Sequence, residues 1–296
     1  MARLKKQFIL PLLFLLSISS AWAETAYIPV GVARVKKAVI AFPKVRIQKG
    51  MDSAWAKTLA ETVTRDLTFM DAFSLLDSKA FLEEEAKAGI IPGSFKMSDW
   101  KGIGTEFLMK SSVETQGENL TFEGHLYDVT GDKEIFSKRY VAPLKDVKIV
   151  AHNFANAVVQ SLTGLPGIFL TKIAMTCDRT GKKEIYTMNF DGTEVKQITQ
   201  HRSISFAPAW SPDGTRLAYS LFTRHKNNIK NIDHYEHDFL TNSIRVLSHR
   251  KGINSGAAYS PDGKTIALTL SYLGNPGIFL LDPETQALTQ LARSFG

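Results

Sequence analysis

The sequence predicts an α+β domain followed by an all-β propeller, incomplete at about two to three blades, and three observations lead to this. First, Trp210-Ser211-Pro212-Asp213-Gly214 with an alternating apolar run after it returns 49 residues later as Tyr259-Ser260-Pro261-Asp262-Gly263 with the same sequel. That offset falls within the roughly 40–50 residues of one propeller blade. Second, the residues before 165 lack the repeat and mix helical with strand periods. Third, Met1 to Ala23 belongs to neither pattern: Arg3, Lys5 and Lys6 open it, Phe8 to Ile18 is apolar, and Ala21-Trp22-Ala23 makes a small-x-small cleavage site.

Residues 1–23 therefore read as a cleaved secretory signal peptide, with an uncleaved anchor as the alternative, since the apolar run is short of the ~20 residues a spanning helix needs. Its loss removes three of the seven net positive charges of the 296-residue chain. No Lys/Arg cluster interleaved with aromatics stands out, which speaks against nucleic acid. Cys177 is the single cysteine, so no internal disulfide can form; it reads as a small buried residue in a strand, or else as a reactive thiol.

Residues 24–165 form the expected N-terminal domain. Lys37 to Phe42 reads as a strand, after which Asp52 caps a helix carrying Trp55, Leu59, Val63 and Leu67 on one face. Phe73 to Leu76 is a short buried strand and Ser78 to Ala88 a helix ended by Gly89, with Glu83-Glu84-Glu85 on its wet face. Ser98-Asp99-Trp100 opens another helical turn. Glu106 to Glu114, Leu120 to Val129 and Glu134 to Val141 make an antiparallel meander, and Asp146 to Leu162 a closing helix with Val147, Val150, Phe154, Val158 and Leu162 as its apolar stripe. Leu165-Pro166-Gly167 looks like a hinge, leaving 166–296 as a partial propeller.

In each repeat copy the strand should end at the aromatic and restart after the glycine, because proline presets φ, aspartate bonds its own backbone, and glycine takes positive φ. The motif thus specifies a turn rather than a reaction. Ser211 and Ser260 lack a G-x-S-x-G elbow or an evident base, so no catalytic residue is assigned. His234-x-x-His237-Asp238 is the one metal-like cluster, but strand residues three apart face opposite ways; it reads as solvated blade surface, and neither metal nor cofactor is expected. Trp210 and Tyr259 read as wedges between blades, or else as ligand stackers.

With these residues in view the chain resembles the TolB family, the periplasmic components of Tol–Pal systems. The likeness rests on Ala207 to Gly214, Gly256 to Gly263, the helix ending Leu162-Thr163-Gly164, and the strand starting Thr171-Lys172-Ile173-Ala174. It implies a non-enzymatic adaptor that supports outer-membrane integrity and invagination during division. It further implies binding of the outer-membrane lipoprotein Pal through loops before each turn motif, here Ser203 to Ala207 with Phe206, and Ile253, Asn254, Ser255 and Gly256. TolA would bind at the segment after Ala23, with Glu24, Thr25, Tyr27 and Ile28, which is expected to be loosely held. Relatives often carry histidine where this chain has Ile253, and the sequence supplies only about two and a half blades, so exposed sheet edges and self-association are expected. A secreted propeller that binds a small ligand or glycan is the second reading.

Overall fold

The computed structural model describes residues 36–48, 52–84 and 88–293; the expected leader and Glu24, Thr25, Tyr27 and Ile28 lie outside them. The chain enters through β1 (Ala38–Ala41), the short β2 (Arg46–Ile47) and the helix α1 (Ser53–Phe69). Asp52 caps α1 as expected, its carboxylate accepting the Ala54 amide at 2.9 Å. The buried stripe of α1 runs through Ala56, Leu59, Val63 and Leu67, whereas Trp55 lies at its margin and is exposed. After β3 (Phe73–Leu75), the expected helix from Ser78 is only a 3₁₀ turn, Ser78–Ala80. Asp77 caps that turn, and residues 81–84 continue without helix, so the wet-face reading of Glu83 fails too. Its side chain is buried against Lys110 and accepts the Trp100 indole N–H at 3.1 Å.

The short α2 (Met97–Gly102) leads into β4 (Phe107–Gln116), β5 (Asn119–Asp128) and β6 (Lys133–Pro143), the expected meander, and then α3 (Val147–Thr163). The sheet order is β3-β1-β4-β5-β6, with β1 parallel to both neighbours and β2 parallel to β4. Helices α1 and α3 pack on one face, where Leu59, Val63, Phe122, Phe154 and Val158 meet. Gly124 is needed there because a Cβ would stand 2.4 Å from the Phe154 ring. The segment holding Phe81, Phe95 and Trp100 packs with Leu108 and Tyr127 in a second apolar cluster.

Gly164 ends α3 at φ 74°, the left-handed conformation glycine tolerates best. The stretch read as a hinge is pinned at its end. Phe169 is buried in the α1/α3 core, its amide donates to Asn156 Oδ1 at 3.1 Å, and a Cβ on Gly167 would stand 2.0 Å from that same atom. Across this junction Phe190 stacks edge-on against both Phe69 (4.8 Å) and Phe169 (5.5 Å). Beside them His152 Nδ1 lies 2.6 Å from Asp66, and Arg65 pairs with Asp191 at 3.3 Å. Burial opposes the Asp191 charge, but the Thr193 hydroxyl and amide, with Arg65 and His152, hold its carboxyl below the usual range.

Three antiparallel sheets follow. The first holds β7 (Lys172–Cys177), β8 (Glu184–Asn189) and β9 (Lys196–Gln197). The second holds β10 (Ser205–Trp210), β11 (Arg216–Arg224), β12 (Lys230–Asp238) and β13 (Ser243–Ser248). The third holds β14 (Asn254–Tyr259), β15 (Ile266–Leu270), β16 (Gly277–Leu281) and β17 (Leu288–Arg293). Cys177 ends β7 half-buried rather than in the core.

Both aromatics of the repeat lie between sheets. Trp210 joins Ala174, Ile185 and Ile198 of the first sheet to Leu217 of the second, and Tyr259 packs with Ala218 and Leu247 of the second beside Ile266 of its own. The Tyr259 hydroxyl donates to Glu236 at 2.6 Å. The reading of His234 and His237 as solvated is overturned, since both rings are buried, His234 completely. Nδ1 of His234 meets Ser220 Oγ at 3.2 Å, while the His237 ring lies 4.6 Å from that of Phe239.

Burial pushes the His234 imidazole down to about 4, against about 6.5 in an unfolded chain. The unfolded state thus binds more protons between those values, so stability is whole above pH ~6.5 and falls as pH drops toward 4, by about 3 kcal/mol across the window. Urea unfolding at steps from pH 7 to 4.5 should show this slope, and His234→Gln should make it shallower, leaving the share of His201 and His237, which burial also lowers.

Candidate interaction face of the propeller

The repeated hairpins give the propeller two chemically different ends. At one end sit the Ser-Pro-Asp-Gly turns. Ser211 Oγ donates to Asp213 at 2.6 Å and accepts the Arg216 amide at 2.9 Å, while Asp213 also accepts the Thr215 amide at 3.0 Å. Ser260, Asp262, Thr265 and Lys264 repeat the arrangement within 0.1 Å. Gly214 and Gly263 take φ of 69° and 70° as the turn requires, and Pro212 and Pro261 are exposed beside them. The Ser211 hydroxyl, followed by the Thr215 amide and hydroxyl and by Arg216, holds the Asp213 carboxyl at about 2. Both serine hydroxyls are committed to closing a turn.

At the other end lie the loops that enter β10 and β14. Each strand bulges soon after its start, between Phe206 and Ala209 in one and Ser255 and Ala258 in the other. The bulge places Ala207 at φ 51° where the second copy has Gly256 at 68°. Phe206 is half-buried with its ring 5.6 Å from Phe222, and Ser203 Oγ donates to the Phe222 carbonyl at 2.7 Å. Ile253 and Gly256 are exposed and Ser255 half-buried. Ser203 lines a groove of about 1100 Å³ with His201, Phe222, His225, Tyr235 and His249; Phe206 and Ile253 are not among its walls.

Asn254, singled out as a polar contact, has no free side-chain surface. Its Oδ1 accepts from Ser248 Oγ (2.6 Å) and the Arg250 amide (3.1 Å), and its Nδ2 donates to the carbonyls of Ile232 (2.7 Å) and Arg250 (2.6 Å). It shapes the 249–253 loop from beneath. Asn231 ties this loop to the neighbouring one, donating to the Arg250 carbonyl at 3.0 Å and accepting the Gly252 amide at 2.7 Å. Glu184 does similar work in the first sheet, accepting from Thr199 Oγ1 (2.6 Å) and the Arg202 amide (2.7 Å). Sequence reasoning missed Asn231 and Glu184. Each lies at a strand start in an otherwise ordinary polar context, and only the distant partners reveal its part.

The fold defines the chain's class: an α+β domain preceding radially stacked β-propeller sheets. Residues 26–135 match the TolB amino-terminal domain and residues 159–296 the TolB beta propeller domain. The Tol-Pal system protein TolB of Desulfosudis oleivorans is 30% identical over 294 residues, covering 98% of this chain and 66% of the relative. That of Geobacter metallireducens is 36% identical over 196 residues, 66% of this chain and 45% of the relative. The crystal structure of TolB from Acinetobacter baumannii superposes with a TM-score of 0.70 at 23% identity, over 88% of this chain and 62% of that one, which supports the fold. The chain belongs to the TolB family, and it spans less than two thirds of the length of these relatives.

Removing the Asn254 amide leaves a buried hydroxyl, an amide and two carbonyls without their partner. Asn254→Ala should therefore cost on the order of 2–4 kcal/mol in urea unfolding, whereas Ile253→Ala, at an exposed site, should change stability by less than about 0.5 kcal/mol.

Proposed function

We propose that this chain is a non-enzymatic periplasmic adaptor of a Tol–Pal system, with domains at 24–165 and 166–296. Pal would dock on the loops around Ser203, Phe206, Ile253, Ser255 and Gly256, with Asn254 holding the second loop in shape. TolA would take up the segment with Glu24, Thr25, Tyr27 and Ile28. In this role the protein supports outer-membrane integrity and the inward movement of that membrane at division. The observation that carries the reading is the pair of internally bonded loops leading into bulged strands at one propeller end, which present exposed Ile204 and Ile253 beside half-buried Phe206 on a rigid frame. The serines of the turn motif, bonded within their turns, support the non-enzymatic part.

The test is calorimetric titration with the soluble domains of Pal and TolA from the same bacterium. Phe206→Ala with Ile253→Asp should weaken Pal at least tenfold while circular dichroism shows the fold retained, and deletion of residues 24–31 should abolish TolA binding alone. Full Pal affinity in the double variant would overturn this face.

A further inference from the structure

The loops at the Pal-facing end differ in charge from the turns at the opposite end. The 178–183 loop brings Arg179, Lys182 and Lys183, all exposed. The next loop brings Arg202, at φ 54°, whose backbone N–H donates a hydrogen bond to buried Glu184. Around the 225–229 connection stand Arg224, Lys226 and Lys230, and the 249–253 loop adds Arg250 and Lys251. Among the described residues none of these nine cations is paired with a carboxylate. The one exposed acid among them is Asp178; Glu184 and Asp233 are buried, with Asp233 taken up by Thr223, His225 and Asn231. Arg250 also covers the Tyr272 ring at 5.7 Å. Two of them, Arg224 and Lys226, line the groove together with His201, His225 and His249.

The opposite end is acidic for a local reason. Asp213, Asp238, Asp262 and Asp282 each accept the amide two residues on, so a turn carboxylate recurs there with every hairpin.

Unpaired like charges on loops held rigid from beneath repel one another, and a carboxylate-rich surface relieves that repulsion while being steered toward it. We propose that the partner docking at this end presents an acidic polypeptide surface, and that charge sets the rate of their association. This rests on the reading of this end as a protein-docking face; it adds the partner's chemistry and names Lys182, Lys226 and Lys251 as determinants.

The test uses the full chain, the soluble Pal domain from the same bacterium, poly-L-glutamate and phosphatidylglycerol vesicles. Lys182→Glu/Lys226→Glu/Lys251→Glu changes exposed side chains in three loops, and Lys264→Glu in the opposite turn is the control; circular dichroism and Tm verify folding. The Pal association rate should fall at least tenfold between 50 and 300 mM NaCl. It should fall as far in the triple variant at 50 mM, hold in the control, and be slowed by poly-L-glutamate. Pal binding that ignores salt and the triple variant overturns this inference while leaving the Pal reading intact. Failure of Pal to bind, with salt-sensitive poly-L-glutamate binding lost in the triple variant, overturns the Pal reading and supports the acidic-partner inference. Vesicle binding without poly-L-glutamate binding overturns it in favour of a lipid surface.

Discussion

A propeller sheet cannot bury its own two faces, and the mutual cover between neighbouring sheets is the constraint on which the C-terminal half depends. Trp210 and Tyr259 answer it at equivalent places, each leaving its own sheet to fill the gap beside the preceding one. The second contact is polar as well as apolar. Tyr259 reaches Glu236, Glu236 accepts Arg245 at 2.6 Å, and Arg245 reaches Glu284 of the third sheet at 3.0 Å. Glu236 is almost wholly buried, and each of its two carboxyl oxygens is met by one of these donors, so losing either would leave a buried oxygen without its partner. That makes the angle between the two sheets a matter of specific geometry and not of apolar contact alone.

The same repeat assigns separate tasks to the two ends. Turn chemistry claims the residues from Trp210 to Gly214 and from Tyr259 to Gly263, leaving little freedom there. The bulges after Ser205 and Asn254 release the entering loops from hairpin geometry, and buried polar groups then hold them. Recognition can vary at one end because stability is secured at the other.

Much of this architecture was legible in the sequence. The Asp52 cap, the meander, the stripe of α3 and both hairpins follow from periods and turn residues acting over a few positions. Polar residues whose partners sit on other elements of the fold were not legible. Glu83 reads as a solvated charge until Lys110 and Trp100 close over it, His234 as surface until Ser220 faces it, and Asn254 as a binder until four backbone and hydroxyl groups claim its amide. The α2 helix was visible from Ser98-Asp99-Trp100, but the helix expected from Ser78 was not formed, because Phe81 is drawn off to pack on Trp100 at 4.9 Å. Of the stretches read as loops, only Ser203, Ile204 and Ile253 precede the strands; Ser205 to Ala207 and Asn254 to Gly256 already belong to β10 and β14, where bulges that one sequence does not announce decide which side chains face solvent.

The junction between α3 and the first propeller sheet has a mechanical consequence. Leu165-Pro166-Gly167 gives way to Phe169, wedged in the helical core as one of three rings that meet edge-on, and to a His152–Asp66 contact beside an Arg65–Asp191 pair. Such a joint has no slack to take up. A pull on the sheets would load α1 and α3 through these contacts instead of being absorbed by a coil. The load such a joint would bear before giving way depends on how tightly Phe169 and Phe190 hold their seats.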